Sequence, residues 1–285
     1  MEVSIKHKET LARELEKFGS VSTGIPLERF TTFRTGGIAD TLFEPAGEEQ
    51  LADALRMLTS EGIDCTFIGG GSNLLVSDRG IRGVVIRICS EKTKPAFIDG
   101  LVYAPAWLHK EMFTSFAIEN SLGGIEFMAG IPGTIGGGIY MNAGTNTGCF
   151  YDILRAVKIV RPGGGIETVG AESSQSLYRK NRLPEGCAIL GGFFSLPASA
   201  DIESVKKRVD DAISDRYKKH PMEYPSAGSV FKNPRGHSSW KLINDAGLKG
   251  CRQGGAMVSE KHTNFIINTG GATSSDIYKL VRHIQ

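Results

Sequence analysis

Residues 68–86 read IGGGSNLLVSDRGIRGVVI. The apolar residues Cys65 to Ile68 have the length of a short strand, and the three glycines that follow expose backbone N–H groups with no Cβ in the way. Such groups can converge on a phosphate oxygen. A tight turn accounts for the same residues equally well. The G-x-G-x-x-G spacing of a Rossmann dinucleotide fold fails at Leu74, and an apolar strand follows where a helix should begin. No G-K-S/T follows, so the loop is not of the Walker type.

Residues 130–144, GIPGTIGGGIYMNAG, form a second backbone-rich loop. Two such loops suit one long ligand, a pyrophosphate joined to a flat ring system: one donates to the diphosphate and the other lies flat where side chains would obstruct stacking. Close helix packing is the competing explanation for Gly136 to Gly138.

Outward from these loops, the spacing of Leu11, Leu15 and Phe18 predicts a helix over 8–18 ended by Gly19, and that of Leu51, Leu55 and Leu58 predicts another over 48–61. Residues 74–76, 84–88 and 98–104 read as strands, 106–119 as a helix, and RPGGGIETV at 161–169 as a hairpin. A charged helix over 202–219 is stopped by His220-Pro221, where a domain boundary is placed. Beyond it, 229–232 and 265–268 are strand candidates, and 239–246 and 274–282 are helix candidates.

The 285 residues allow about two compact units. Hydrophobic residues at 40%, charged residues at 22% and a net charge of +2 exclude whole-chain disorder and give no general field for a nucleic acid. Glycine, at 36 residues, is about 13% of the chain against an average near 7%. The five cysteines are odd in number and far apart, with no C-x-x-C pair, which argues against a disulfide framework or a zinc site and for a reducing cytosol. The six histidines show no metal-ligand spacing, and no apolar run approaches the roughly 20 residues of a membrane span.

Seven blocks in order carry a resemblance: FTTFRTGG at 30–37, IGGGSNLLVSDRGIRGVVI at 68–86, EFMAGIPGTIGGGIYMNAG at 126–144, YRKN at 178–181, YPSAGSVFKNP at 224–234, LINDAGLKG at 242–250 and GGAMVSEKHTNFIIN at 254–268. Together they resemble the UDP-N-acetylenolpyruvoylglucosamine reductase family, in its shorter type without a tyrosine-bearing insertion. The resemblance implies an α+β fold: an FAD-binding fold of the vanillyl-alcohol oxidase type with two subdomains, expected at 1–90 and 91–219, and an α+β substrate-binding domain at 220–285. It implies non-covalent FAD, NADPH as co-substrate, and reduction of UDP-N-acetylglucosamine enolpyruvate to UDP-N-acetylmuramate by a cytoplasmic monomer with no nucleic-acid or membrane partner.

By their places in the blocks, Arg34, Gly69, Gly70, Gly71, Ser72 and Asn73, with Gly130, Ile131, Pro132, Gly133, Thr134, Ile135, Gly136 and Gly137, match the family's FAD-binding positions. Ser229 matches the proton donor and Arg179 the arginine that steadies the enolate; Tyr140, Lys219 and Asn233 match substrate-binding positions. Asn181 stands where the family usually has serine, and 145–148 departs from the usual alanine and aromatic. The resemblance also implies a later strand, L-E-x-E-V, whose glutamate joins the serine and arginine; the sequence stops at Gln285 before it, and a shortened form of the chain is expected.

Two rival readings remain: a flavin-dependent oxidase or dehydrogenase of the same fold, and a nucleotide-sugar binding protein with impaired chemistry. A colourless protein that cannot be reconstituted with flavin would discard both enzyme readings.

Overall fold

The computed structural model describes residues 5–89, 94–171 and 178–285. They form two compact units: the first comprises the chain up to Thr23, Thr41–Gly70 and Gly83–Ile213, the second Gly24–Asp40, Gly71–Arg82 and Ser214–Gln285.

Unit 1 begins with α1 (Ile5–Leu15). Four strands, β1 (Gly19–Pro26), β2 (Ile38–Pro45), β3 (Cys65–Ile68) and β4 (Ile81–Arg87), make a sheet in the order β1-β2-β4-β3, with β3 and β4 parallel. Their ends at 24–26, 38–40 and 81–82 belong to unit 2. The helix α2 (Glu48–Ser60) forms where the leucine spacing places it; Leu51, Leu55 and Leu58 are buried with Phe43, Val84 and Ile86. Burial of each leucine contributes about 1.5–3 kcal/mol. Glu48 and Glu49 complement the positive end of the helix, and Gly62, at φ +64°, takes the left-handed conformation beyond its end.

The second sheet of unit 1 is built from β5 (Ala96–Ile98), β6 (Leu101–Pro105), β9 (Leu154–Val160), β10 (Ile166–Gly170) and β11 (Ala188–Phe194), in the order β10-β9-β11-β6-β5 with antiparallel neighbours. Between β6 and β9 lie α3 (Lys110–Glu119), α4 (Ile135–Tyr140), the small hairpin β7 (Gly144–Thr145) and β8 (Gly148–Cys149), and α5 (Phe150–Ile153). Phe113, Phe150 and Phe194 centre the core, with ring centroids 5.0 and 6.0 Å apart. Val205 and Val209 of α6 (Ile202–Lys219) complete it.

The 161–169 hairpin is present, with Val160 opposite Ile166. The helix expected from 106 starts at Lys110, because Ala106 N–H donates to the Leu190 carbonyl and Leu108 N–H to that of Pro105, which makes a turn first. Residues 74–76 form no strand; Leu75 is exposed, and it is Ser77 that accepts a hydrogen bond from Gly37 N–H.

The stretch read as a second glycine loop is partly helical. Gly136 and Gly138 lie in α4, where glycine costs about 0.5–1 kcal/mol relative to alanine. Packing explains them: a Cβ on Gly136 would lie 2.8 Å from the Cβ of Ala106, and one on Gly138 2.3 Å from the Phe150 ring. Gly137 is exposed.

Unit 2 has a three-stranded antiparallel sheet, β12 (Arg252–Gln253), β13 (Ala256–Val258) and β14 (Ile266–Asn268), with α7 (Ser239–Asp245) and α8 (Ser274–Ile284). Its core joins Phe33 to Ile243, Val258, Ile266, Ile277 and Leu280. Asn268 Nδ2 donates to the Phe33 carbonyl at 2.9 Å. The Asp78 carboxylate accepts the first two amides of α8, from Ser274 and Ser275, each at 2.8 Å, which satisfies donors that every helix leaves open. The expected strand at 229–232 reduces to a single bridge between Ser229 and Phe265.

Candidate active site

In unit 1 the two glycine-rich segments meet backbone to backbone. A Cβ on Gly70 would lie 2.9 Å from the Gly133 Cα, and one on Gly69 2.8 Å from Thr134 Oγ1. Gly130 and Gly133 have φ of +68° and +99°, open to glycine at no steric cost. The loop is held from below by Lys110, whose ammonium donates to the Pro132 carbonyl at 2.7 Å and whose N–H donates to Gly133 at 3.2 Å. Lys110 is buried, on one stripe of α3 with Phe113, Thr114 and Ala117. Sequence reasoning missed it; the signal was a cation at an apolar-stripe position.

Other groups of this loop are already engaged. Ile131 N–H donates to Met128, Ile135 N–H to Leu108 and Gly136 N–H to Ala106. Thr134 caps α4 by accepting from Gly137 N–H at 3.4 Å. Gly136, one of the expected FAD residues, is also packed against Ala106, and its amide is in use.

A cavity of about 260 Å³ in unit 1 is lined by Ala46, Gly47, Ile88, Trp107 and Leu190, among others. The indole N–H of Trp107 is buried with no partner among the described residues. A donor left so costs about 1–3 kcal/mol, which a ligand acceptor would relieve. Bare backbone at the paired loops fits the FAD that the resemblance implies; the cavity beside Trp107 is lined by none of the expected FAD residues.

Arg179 and Tyr140 are brought together within the same unit. Arg179 Nη1 donates to the Asn142 carbonyl at 3.0 Å and Nη2 to that of Gly144 at 2.8 Å. Asn181, the departure from serine, donates its amide to the Tyr140 carbonyl at 2.6 Å and accepts from Leu183 N–H at 3.0 Å. The Tyr140 side chain remains largely exposed. Arg179 and Asn142 have φ of +55° and +40°, a conformation costing a non-glycine residue of order 1–3 kcal/mol and characteristic of ligand clamps.

In unit 2 the FTTFRTGG block wraps the end of the first glycine loop. Thr32 N–H donates to the Gly71 carbonyl at 3.2 Å, and Thr31 Oγ1 to that of Thr35 at 2.7 Å. A Cβ on Gly71 would lie 1.9 Å from the Phe30 oxygen. Arg34 is exposed on this block at φ +54°, while Ser72 is half-buried and Asn73 exposed on the loop itself.

Ser229 is exposed and follows Gly228, at φ +77°. Asn233 Oδ1 accepts from Ser239 N–H at 3.0 Å, at the start of α7. Lys219 lies on the exposed end of α6, paired with Asp215 at 2.6 Å; the hydrogen bond and charge of Lys219 hold that carboxyl below its ordinary range. An exposed pair of this kind contributes little to stability.

Beside Lys219, His220 stacks on Phe265 at 4.9 Å and lies 5.2 Å from the His262 ring. Burial first, then the Arg216 cation, push His220 down to about 4, and burial also lowers His262. Between about pH 6.5 and pH 4 the unfolded chain therefore binds a proton that folded His220 refuses, so stability falls as pH drops through that window and is full above it. His220→Phe should flatten this part of the curve in urea midpoints measured across the window; an unchanged slope would show that another group is responsible.

Residues 220–285 match the C-terminal domain of UDP-N-acetylenolpyruvoylglucosamine reductase, and residues 39–170 match the FAD binding domain family. The chain is 39% identical over 281 residues to the UDP-N-acetylenolpyruvoylglucosamine reductase of Carboxydothermus hydrogenoformans, covering 98% of this chain and 92% of that one. It is 40% identical over 261 residues to that of Clostridium botulinum, covering 91% and 85%. The crystal structure of UDP-N-acetylenolpyruvylglucosamine reductase from Thermus caldophilus superposes with a TM-score of 0.83 at 33% identity, covering 94% and 95% of the two chains. The glucose dehydrogenase Phl p 4.0202 is similar in fold alone, with a TM-score of 0.51 at 11% identity over 66% of this chain and 44% of its own. The α+β architecture is that of flavoproteins of the vanillyl-alcohol oxidase type. On this evidence the chain belongs to the UDP-N-acetylenolpyruvoylglucosamine reductase family, flavin-dependent oxidoreductases of peptidoglycan precursor synthesis that use FAD as cofactor and NADPH as reductant.

Proposed function

We propose that this chain reduces the enolpyruvyl ether of UDP-N-acetylglucosamine enolpyruvate to UDP-N-acetylmuramate, with NADPH as reductant and non-covalent FAD. The observation that carries the reading is the 281-residue match to a reductase of that name, which spans nearly the whole chain. Bound FAD supplies a hydride for C3 of the enolpyruvyl group. Negative charge then builds on the carboxylate-bearing carbon as an enolate, and C2 must receive a proton.

Arg179 is suited to the carboxylate: a guanidinium presents its donors in a planar fork, and two of its N–H groups are fixed on the Asn142 and Gly144 carbonyls, so the fork is oriented in advance. The exposed Ser229 hydroxyl donates the proton to C2. Lys219 exchanges Asp215 for the substrate diphosphate, the Asn233 amide donates to the uridine portion, and Tyr140 offers its exposed ring to the flavin and substrate. Gly69 to Asn73, the residues from Gly130 to Gly137 and Arg34 hold FAD, with residues 1–90 and 91–219 as its two subdomains and 220–285 as the substrate domain. The same reading has the chain act as a cytoplasmic monomer.

The test is anaerobic. Protein reconstituted with FAD is bleached by NADPH and then mixed with UDP-N-acetylglucosamine enolpyruvate. The flavin colour should return with one UDP-N-acetylmuramate formed per flavin. A protein that takes up no FAD, or that oxygen reoxidises while the enolpyruvyl substrate does not, overturns the proposal.

A further inference from the structure

Ser229 stands on a segment held by one bridge, one main-chain bond and one side chain rather than by a sheet ladder. Its backbone forms one bridge, to Phe265, and Val230 N–H donates to the Asn264 carbonyl at 2.9 Å. At the next residue the Asn264 side chain takes over from the main chain. Phe231 N–H donates to Asn264 Oδ1 at 2.9 Å, and Asn264 Nδ2 donates to the Phe231 carbonyl at 2.9 Å. A carboxamide presents one acceptor and one donor as a peptide group does, so this single side chain satisfies both backbone groups of Phe231 in the way a neighbouring strand would.

Asn264 is itself firmly placed. It is 4% exposed, inside a turn in which Phe265 N–H donates to the His262 carbonyl at 2.9 Å and Ser259 N–H to that of Phe265 at 2.8 Å. Thr263, in the same turn, donates its Oγ1 hydroxyl to the Trp240 carbonyl of α7. On its other side Ser229 adjoins Gly228, at φ +77°, a conformation open to glycine at no steric cost. On its C-terminal side, then, the chain next to Ser229 is held by Asn264, through the main chain at Val230 and the side chain at Phe231.

We propose that Asn264 is a positioning residue for Ser229, its carboxamide fixing the Phe231 backbone and with it the line along which the Ser229 proton reaches the substrate. The proposal rests on the reductase reading above. A proton donor works only within hydrogen-bond reach of the atom it protonates, and a misplacement of about 1 Å costs about 100-fold.

Asn264→Ala and Asn264→Asp are compared with the unaltered protein, all loaded with FAD, in anaerobic stopped-flow. In Asn264→Ala, reduction by NADPH should stay within about two-fold, substrate affinity read from the flavin spectrum should change little, and reoxidation by substrate should slow about 100-fold. The solvent deuterium isotope effect on reoxidation should rise as proton delivery becomes limiting, a change that general loosening would not produce. Asn264→Asp keeps the shape and the acceptor for Phe231 N–H but sets a carboxylate against the Phe231 carbonyl, so it too should slow reoxidation; it provides the reading if the alanine variant does not fold. Reoxidation at the normal rate in the folded aspartate variant, or equal slowing of both half-reactions, overturns the proposal. If the unaltered protein is not reoxidised by the substrate, the reductase reading falls and this one falls with it. A normal substrate response with slow Ser229→Ala and unaffected Asn264 variants sinks the positioning role alone.

Discussion

Ser229→Ala should leave the bleaching of the flavin by NADPH at its normal rate and slow reoxidation by the enolpyruvyl substrate by about 10²–10⁴-fold, the usual contribution of a positioned general acid. The two half-reactions separate because only the second needs a proton at carbon. Stability should hardly change, because the side chain is exposed and surface substitutions of this kind stay within about 0.5 kcal/mol. Stopped-flow measurement of the two halves, with a melting curve as control, decides the matter. Equal slowing of both, or a large fall in melting temperature, would assign the serine a structural role and remove it from the chemistry.

Gly71→Ala should be the most damaging small substitution in the cofactor loop. Its new Cβ would lie 1.9 Å from the Phe30 oxygen and 2.9 Å from the Thr31 Cα, both backbone atoms, at φ +63°. The left-handed conformation costs about 1–2 kcal/mol and the overpacking about 1–3 kcal/mol or more. Set against a total stability of about 5–15 kcal/mol, the sum is a large fraction. Relief of the clash must pull apart the Thr32 to Gly71 hydrogen bond and the block that carries Arg34. The variant should melt well below the unaltered protein and purify without its yellow colour. Gly100→Ala is the control: φ there is +77°, yet a Cβ would meet nothing within 4 Å, so only the conformational cost applies. Equal behaviour of the two variants would show that the contact with Phe30 carries no weight.

The elements legible in the sequence were those whose signal is local. The leucine spacing of α2 and the Pro-Gly-Gly-Gly turn between β9 and β10 each fix structure within a few residues. The helix α4 was not legible, because three consecutive glycines argue for a loop on propensity alone; contact with Ala106 and Phe150 overrides that preference. The site divides in the same way. Ser229, Arg179 and the glycine loops are proposed from motifs, whereas Lys110, which donates to Pro132, and Asn264, which bonds Phe231, serve partners 22 and 33 residues away in the chain. Trp107 was hidden because an orphaned indole N–H is a property of the surroundings and not of the letter.

The chain passes from one unit to the other at residues 24, 41, 71, 83 and 214. Phe33 of the unit 2 core and Asp78 at the start of α8 lie far upstream of residue 220. The segment 220–285 is thus a boundary of sequence kinship but not of autonomous folding. A chimera that swaps this module between relatives inherits an incomplete core and an undocked helix unless residues 24–40 and 71–82 travel with it.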